Sequence, residues 1–298
     1  MKRILYAVAL LLVLTPTVGR AEELKIAAYN MHNLFDVFDD PYTQDEQTRV
    51  KPRDELEAIA TTLRHIDADI AVLSEVENEG SLRAFAYEFL GDMGYDFIET
   101  GRTNDGRGIR LGILSRKPIE SLTSYRYVDL HLPSQTRMWR FARDLTQVRL
   151  RVGDGATLNL FMVHFKSRRD GPDDPNSMNW RTAEVHEAQR RIGALLTANP
   201  HALVAMVGDF NSTLGGEEIS YLLQKQGDAP WLIDVHAALD VDDRITYLEK
   251  PYRSTIDYIL ASPALAGRLI PGSARVIHDE QYTSGSDHAP LMATFQLD

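Results

Sequence analysis

The amino-acid sequence predicts a mixed α/β domain whose sheets combine parallel and antiparallel strands. Two patterns carry this expectation. Early in the chain, short apolar runs of strand length alternate with amphipathic helical stretches, as parallel crossovers require. Later, strand-like segments follow one another as hairpin-like pairs, which fits a mixed arrangement better than a barrel of eight parallel strands. The composition is that of an ordinary globular protein: 298 residues, 44% hydrophobic, 25% charged, 19 Gly and 13 Pro.

The first segment reads as an address label. Met1-Lys2-Arg3 is basic, Ile4 to Leu14 is an unbroken apolar run, and Gly19-Arg20-Ala21 places small residues beside a cut after Ala21. The run is well short of the ~20 residues needed to cross a bilayer. Residues 1–21 are therefore expected to be a secretory signal peptide, directing the chain to a bacterial periplasm or exterior. No repeat, low-complexity tract or long linker divides residues 22–298, which are expected to form one domain.

Leu24 to Tyr29 reads as a strand ending at Asn30. Arg53 to Ile66 sets Leu56, Ile59, Ala60 and Leu63 on one helical face, and Asp69 to Ser74 is an apolar run of buried-strand length ending at Glu75. Ser81 to Leu90 repeats the helical spacing, and Leu111 to Ser115 is a strand preceded by Arg110. Val148, Leu150 and Val152 alternate with Gln147, Arg149 and Arg151, a half-exposed strand. Thr157 to Val163 is its partner and ends at His164. A helix over Trp180 to Leu196 and a buried strand over Ala202 to Val207 follow, the latter ending at Gly208-Asp209. Ile256 to Leu260 and Leu291 to Leu297 complete the strands. Asn30, Glu75, His164, Asp209 with Asn211, and Asp287 with His288 thus stand at strand ends, where residues converge on one rim of a layered sheet and clefts open.

The absence of cysteine removes a disulfide framework, a thiolate nucleophile, a Cys-ligated zinc and an iron–sulfur cluster. Any metal must sit on oxygen or imidazole. The formal charge of −11 argues against a protein that binds polyanions through net charge, while leaving open a phosphate-handling cleft with its own local field.

Each polar motif has a structural and a chemical reading. In Gly208-Asp209-Phe210-Asn211, an extended backbone would turn Asp209 and Asn211 the same way and Phe210 toward the core. A carboxylate beside an amide can hold a water against an electrophile, and the same pair is common at strand-to-turn junctions. Glu75, closing an apolar strand, is either a solvated terminus or a ligand for a hard cation. His164 is either a satisfied core histidine or part of a site. Asp257 is either an interior hydrogen-bonding acid or a carboxylate orienting an imidazole. The imidazole of His288, next to Asp287, can stabilise developing charge or transfer a proton.

Taken in order, Tyr29-Asn30, Ser74-Glu75-Val76, Val163-His164-Phe165-Lys166-Ser167, Gly208-Asp209-Phe210-Asn211, Thr255-Ile256-Asp257-Tyr258-Ile259-Leu260 and Ser286-Asp287-His288-Ala289-Pro290 resemble the motif series of the endonuclease/exonuclease/phosphatase superfamily. The resemblance runs from Leu24 to Leu297. Asn30-Met31-His32-Asn33-Leu34-Phe35-Asp36 is most similar to its bacterial branch of secreted nucleases. The resemblance implies a DNase I-like fold, a four-layered α/β/β/α sandwich with two mixed sheets, and hydrolysis of phosphodiesters with Mg²⁺ or Mn²⁺. Glu75 would be the principal metal ligand, with Asn30 and Asp287 near the metal or the phosphate. Asp209 would orient or deprotonate the attacking water and Asn211 would help hold it or the phosphate. His164 and His288 would stabilise the phosphoryl oxygens, one of them as general acid, and Asp257 would hold His288. Arg110 is a further candidate for a phosphate contact.

Two departures bear on substrate. His32 stands where abasic-site endonucleases carry an acid, and Tyr252-Arg253-Ser254-Thr255 replaces the longer signature of inositol-polyphosphate phosphatases. Basic residues crowd three segments: Arg102, Arg107, Arg110, Arg116 and Lys117; Arg137, Arg140, Arg143, Arg149 and Arg151; Lys166, Arg168 and Arg169. With Trp139 and Phe141 interleaved, they are either solvated surface charge or a stripe for a phosphate backbone with aromatic contacts to bases. The expected substrate is nucleic acid, with a phospholipid headgroup or small phosphoester as the rival and a non-catalytic binding protein as the reading from another class. The chain is expected to act as a monomer without a stable protein partner.

Overall fold

The computed structural model describes residues 22–38, 40–133, 135–153, 155–171, 173–223, 225–226 and 229–297. The expected signal peptide, residues 1–21, lies outside the described residues. The chain opens with β1 (Glu22–Leu34), α1 (Arg53–Ile66), β2 (Ile70–Val76) and α2 (Glu79–Leu90). Four strands follow, β3 (Phe97–Thr100), β4 (Arg110–Ser115), β5 (Ile119–Ser124) and β6 (Leu145–Val152), then β7 (Ala156–His164), α3 (Met178–Ala198) and β8 (Leu203–Asp209). The last part holds α4 (Glu217–Leu222), the short strands β9 (Lys225–Gln226), β10 (Ala229–Pro230) and β11 (Ile233–Asp234), β12 (Asp257–Ala261), α5 (Pro263–Ala266), β13 (Arg275–Val276), α6 (Glu280–Thr283) and β14 (Leu291–Leu297).

Two six-stranded sheets result, ordered β13-β14-β1-β2-β4-β3 and β11-β12-β8-β7-β6-β5. Each is mixed. The pairs β1–β2 and β7–β8 are parallel, joined through α1 and α3, and the remaining neighbours are antiparallel.

Strand alternation builds the layers. Leu24, Ile26 and Ala28 of β1, Leu158, Leu160 and Met162 of β7, and Leu203, Ala205 and Val207 of β8 fill one core between the sheets. The alternate residues face helices. Tyr29 and Met31 of β1 and Leu73 of β2 pack with Ile59, Leu63, Leu82 and Phe85 of α1 and α2, while Phe161 and Val163 of β7 and Val204 and Met206 of β8 pack with Val185, Ala188 and Ile192 of α3. Both strand faces are covered, which is why these strands read as nearly continuous apolar runs. The order helix, sheet, sheet, helix is the four-layered sandwich that the family resemblance implied.

The helix ends have local causes. Asn78 and Ser81 form a reciprocal capping box at the start of α2. The third helix starts two residues before Trp180, because both carboxylate oxygens of Asp174 accept from the first free amides, Asn179 N at 2.9 Å and Trp180 N at 3.0 Å. Gly208 is required where β7 and β8 run side by side. Its φ is +136°, and a Cβ there would lie 2.1 Å from the Val163 carbonyl oxygen.

Candidate active site

The residues at the rim continue the face that makes the inter-sheet core. Asn30 is the next inward position after Ile26 and Ala28, His164 after Leu160 and Met162, and Asp209 after Ala205 and Val207; Asp257 precedes Ile259 and Ala261 in the same parity. Where the sheets part, these four buried polar side chains take over from the apolar ones. Backbone pairing sets their spacing, since His164 is in register with Asp209 across β7–β8 and Asp257 with Asp209 across β12–β8.

Glu75 has the opposite parity and would face the helices. Its φ of +62°, at a shift in register on both sides of β2, turns its side chain into the cleft instead. A Glu with positive φ is costly and marks a position held by its surroundings, here by Asn33 N donating to its Oε2 at 3.1 Å. Asn33 and His32 also have positive φ, so β1 bends at the same level.

A hydrogen-bond chain runs through the rim. Asn30 Nδ2 donates to Asp209 Oδ2 at 3.1 Å, Asn211 N donates to Asp209 Oδ1 at 2.8 Å, and His288 Nδ1 and Asp257 Oδ2 are 2.8 Å apart. Ser286 Oγ donates to the Asn30 carbonyl at 2.8 Å and accepts from His288 N, bending the loop so that Asp287 and His288 both reach the cleft. The ring of Tyr247 meets His288 edge-on with centroids 5.2 Å apart. Asn211 also lines the cleft, but not by strand alternation as the sequence predicted. Its φ is +49°, and the turn this makes is closed by its own N–H on Asp209 and its Nδ2 on the Phe165 carbonyl at 3.1 Å. Phe210 is buried, as expected.

The surroundings separate the titrating groups. Burial, and then the charge of Asp257, pushes the Asp209 carboxyl up to about 7. Burial, and then the positive charges of Arg143 and His288, holds the His164 imidazole well below its ordinary range, so that ring is neutral. Burial lowers His288 too, but Asp257, Asp209 and Asp287 outweigh it and push it up to about 10, so His288 is an imidazolium at neutral pH. A carboxylate poised near neutrality beside a protonated imidazole can act as base and acid.

Two groups of side chains bear on metal binding. Asp209, Asp257 and His288 each bring one ligand-type atom within 4.8 Å of the others. Both oxygens of Asp209 already accept from Asn30 and Asn211, Asp257 Oδ2 is taken up by His288 Nδ1, and a protonated His288 donates rather than ligates. Glu75 spends one oxygen on a single backbone amide and otherwise faces the cleft, within which Asp287 also stands, its Oδ1 3.8 Å from His32 Nδ1 and 4.0 Å from His288 Nε2. Oxygen donors with lone pairs to spare fit a hard divalent cation, so Glu75 with Asp287 is the pair that would hold one; the Asn30 carboxamide, expected to join them, already accepts from His32 N at 3.0 Å and donates to Asp209.

The cleft has a volume of about 1030 Å³, and Arg107, Arg143, Lys166, Arg168, Arg169 and Arg253 line it. The basic stripe is thus present in part. Arg116 and Lys117 lie away from it, bound to Asp67 and Glu22, and Arg151 is paired with Glu120. Arg110 does not line the cleft; it is half-buried, beside the charges of Asp40 and Glu77, and its Nε has no hydrogen-bond partner among the described residues. Phe141 and Trp139 are core residues rather than exposed stacking partners, since the alternation that carries Arg140 outward turns them in. The sequence reading missed Trp180 in the cleft wall, Tyr247 against His288, and Glu184. Buried on α3, Glu184 accepts from Ala142 N at 2.6 Å and Lys166 N at 2.7 Å, fixing the two segments that present Arg143 and Lys166.

Comparison with known proteins bears on the fold and the family. No curated protein matches by sequence. Among solved structures, truncated TDP2 from Caenorhabditis elegans superposes with a TM-score of 0.62 at 19% identity, covering 92% of this chain and 97% of that one. The human Nocturnin catalytic domain with bound sulfate anion gives 0.64 at 16% identity, covering 93% and 95%. An endonuclease/exonuclease/phosphatase family protein from Bacteroides thetaiotaomicron gives 0.61 at 18%, covering 94% and 99%. These likenesses establish the shared fold. The model of the Endonuclease/Exonuclease/phosphatase family matches residues 25–270, most of the chain, and the protein therefore belongs to that family of metal-dependent phosphodiester hydrolases.

Proposed function

We propose that this protein is an exported, Mg²⁺- or Mn²⁺-dependent nuclease that hydrolyses phosphodiester bonds of DNA or RNA with little sequence preference. One observation carries the choice of substrate: six Lys and Arg side chains against four carboxylates line a single cleft, an excess of positive charge on a protein whose net charge is strongly negative. Such a local reversal of sign favours a polyanion and concentrates it at the rim. Export rests on the basic, then apolar, then small-residue pattern of residues 1–21.

Within this reading the chain's own residues divide the work. Asp209, fixed by Asn30 and Asn211, takes the proton of the attacking water. Neutral His164, its Nε2 3.5 Å from Asp209 Oδ2, and cationic His288 would stabilise the non-bridging oxygens, and His288, held by Asp257, would protonate the leaving oxygen. A divalent ion at Glu75 would add positive charge against the phosphoryl oxygens.

A second reading has its own observation. Phe38 and Tyr42 are 77% and 95% exposed on a loop whose Gln44 N donates to Gly106 O in the cleft wall, so an apolar surface adjoins the site, as hydrolysis of a phospholipid headgroup would use. The experiment is a substrate panel: plasmid DNA, single-stranded DNA and RNA, and sphingomyelin vesicles, each with Mg²⁺, Mn²⁺ or a chelator. Metal-dependent cleavage of nucleic acid is expected. Hydrolysis of lipid with intact nucleic acid would replace the nuclease reading with the second one.

A further inference from the structure

Beside the catalytic cleft lies a second cavity, of about 380 Å³, lined by Asp129, Arg137, Met138, Trp139, Arg140 and Trp180. Trp180 forms a wall of both cavities. Its ring is fixed rather than loose, because Nε1 donates to the Arg140 carbonyl at 2.7 Å, and Lys166 Nζ of the catalytic cleft lies 5.5 Å from the ring centroid. In the second cavity, Arg137 stands 5.8 Å from the Trp139 ring centroid. Trp139 is only 6% exposed, and its indole N–H has no hydrogen-bond partner among the described residues, a buried donor in want of an acceptor. The single acid, Asp129, is 3.2 Å from Arg140 Nε and so adds little repulsion of its own. At the outer edge Tyr127 and Met138 are 64% and 59% exposed, with Arg126 4.2 Å and Arg140 5.8 Å from the Tyr127 ring centroid.

We propose that this second cavity is a stacking subsite for a base of a single-stranded nucleic acid whose neighbouring phosphodiester occupies the catalytic cleft. The inference rests on the nuclease reading and specifies its substrate as an unpaired strand that extends beyond the scissile bond. The half-buried indole of Trp180 and the guanidinium planes beside it can bind the face of any base, whatever the sequence, while the same cations meet the phosphates between bases. A base can offer its face to Trp180 only when it has left a duplex stack, which selects single strands over double helices. The shared Trp180 wall makes the two cavities consecutive positions on one strand rather than independent sites.

The test compares kcat/KM for a dinucleotide and for an eight-nucleotide single strand, with Mg²⁺, in the wild type and in Trp180→Ala, Arg140→Ala and Met138→Asp. The exposed position of Met138 keeps the last variant independent of folding. The wild type is expected to favour the longer strand, and each variant to shrink that length preference by about tenfold through KM. A wild type that cleaves both strands equally well, or folded variants that keep the full preference, would overturn the subsite while leaving the nuclease reading intact. A wild type that cleaves no nucleic acid at all would overturn both.

Discussion

Asn30 and Asp209 are 179 residues apart in sequence, yet the carboxamide of one donates to the carboxylate of the other at 3.1 Å where the two sheets part. One hydrogen bond thus joins the first strand of one sheet to the central strand of the other and aims the carboxylate proposed as the base. Asn30→Ala is expected to lower kcat by about a hundredfold, because a misplaced base loses most of the advantage of orientation. The loss of a bond to a buried carboxylate costs about 1–3 kcal/mol of stability. Steady-state kinetics beside urea unfolding separates the two effects, and unchanged kcat in a destabilised variant would remove Asn30 from the mechanism.

Glu75 commits one carboxylate oxygen to a single backbone amide and leaves the other to the cleft. Glu75→Gln keeps its size and its bond from Asn33 N while removing the charge. Half-maximal activity should then need at least about tenfold more Mg²⁺, with the unfolding temperature little changed, and a chelator should silence the wild type reversibly. Activity titrations against Mg²⁺ check this, and a metal requirement indifferent to Glu75 would move the ion elsewhere.

Glu184 predicts a pH dependence of stability. Burial pushes its carboxyl from the ordinary 4.5 up to about 7, against the pull of the amides of Ala142 and Lys166. Between about 4.5 and about 7 the folded chain therefore holds a proton that the unfolded chain has released. Stability should fall as pH rises through that window and level off above it, by at most about 1.4 kcal/mol per pH unit from this group. Urea unfolding of wild type and Glu184→Gln from pH 4 to 8 should show this component of the slope only in the wild type.

Gly208 has no room for a side chain. Gly208→Ala places a methyl 2.1 Å from the Val163 carbonyl at a φ that L-residues avoid, so it is expected to cost about 3 kcal/mol or more and to yield little folded protein. Expression with thermal unfolding measures it, and a variant as stable as the wild type would mean that β7 and β8 separate more readily than their pairing indicates.

Much of this was legible in the sequence because one rule places both core and chemistry. Asn30, His164, Asp209 and Asp257 adjoin apolar runs whose alternation already separates an inner from an outer face. The layers follow from strands apolar on both sides. Glu75 could be suspected from its position but not aimed, since positive φ at a glutamate runs against local preference and is imposed by β1 and β4 on either side. Asn211 misled for the same reason, being turned where an extended backbone was expected. Trp180 and Glu184 gave no signal at all, because their roles depend on packing α3 against segments some 40 residues away in sequence.

The common parity of the rim residues has a consequence for how such a chain can change. Deleting one residue within β7 or β8 would swing His164 or Asp209 over to the helical layer and send an apolar neighbour into the cleft. Insertions and deletions are therefore tolerable between strands and ruinous inside them, so variation in what the enzyme acts on is channelled into its loops.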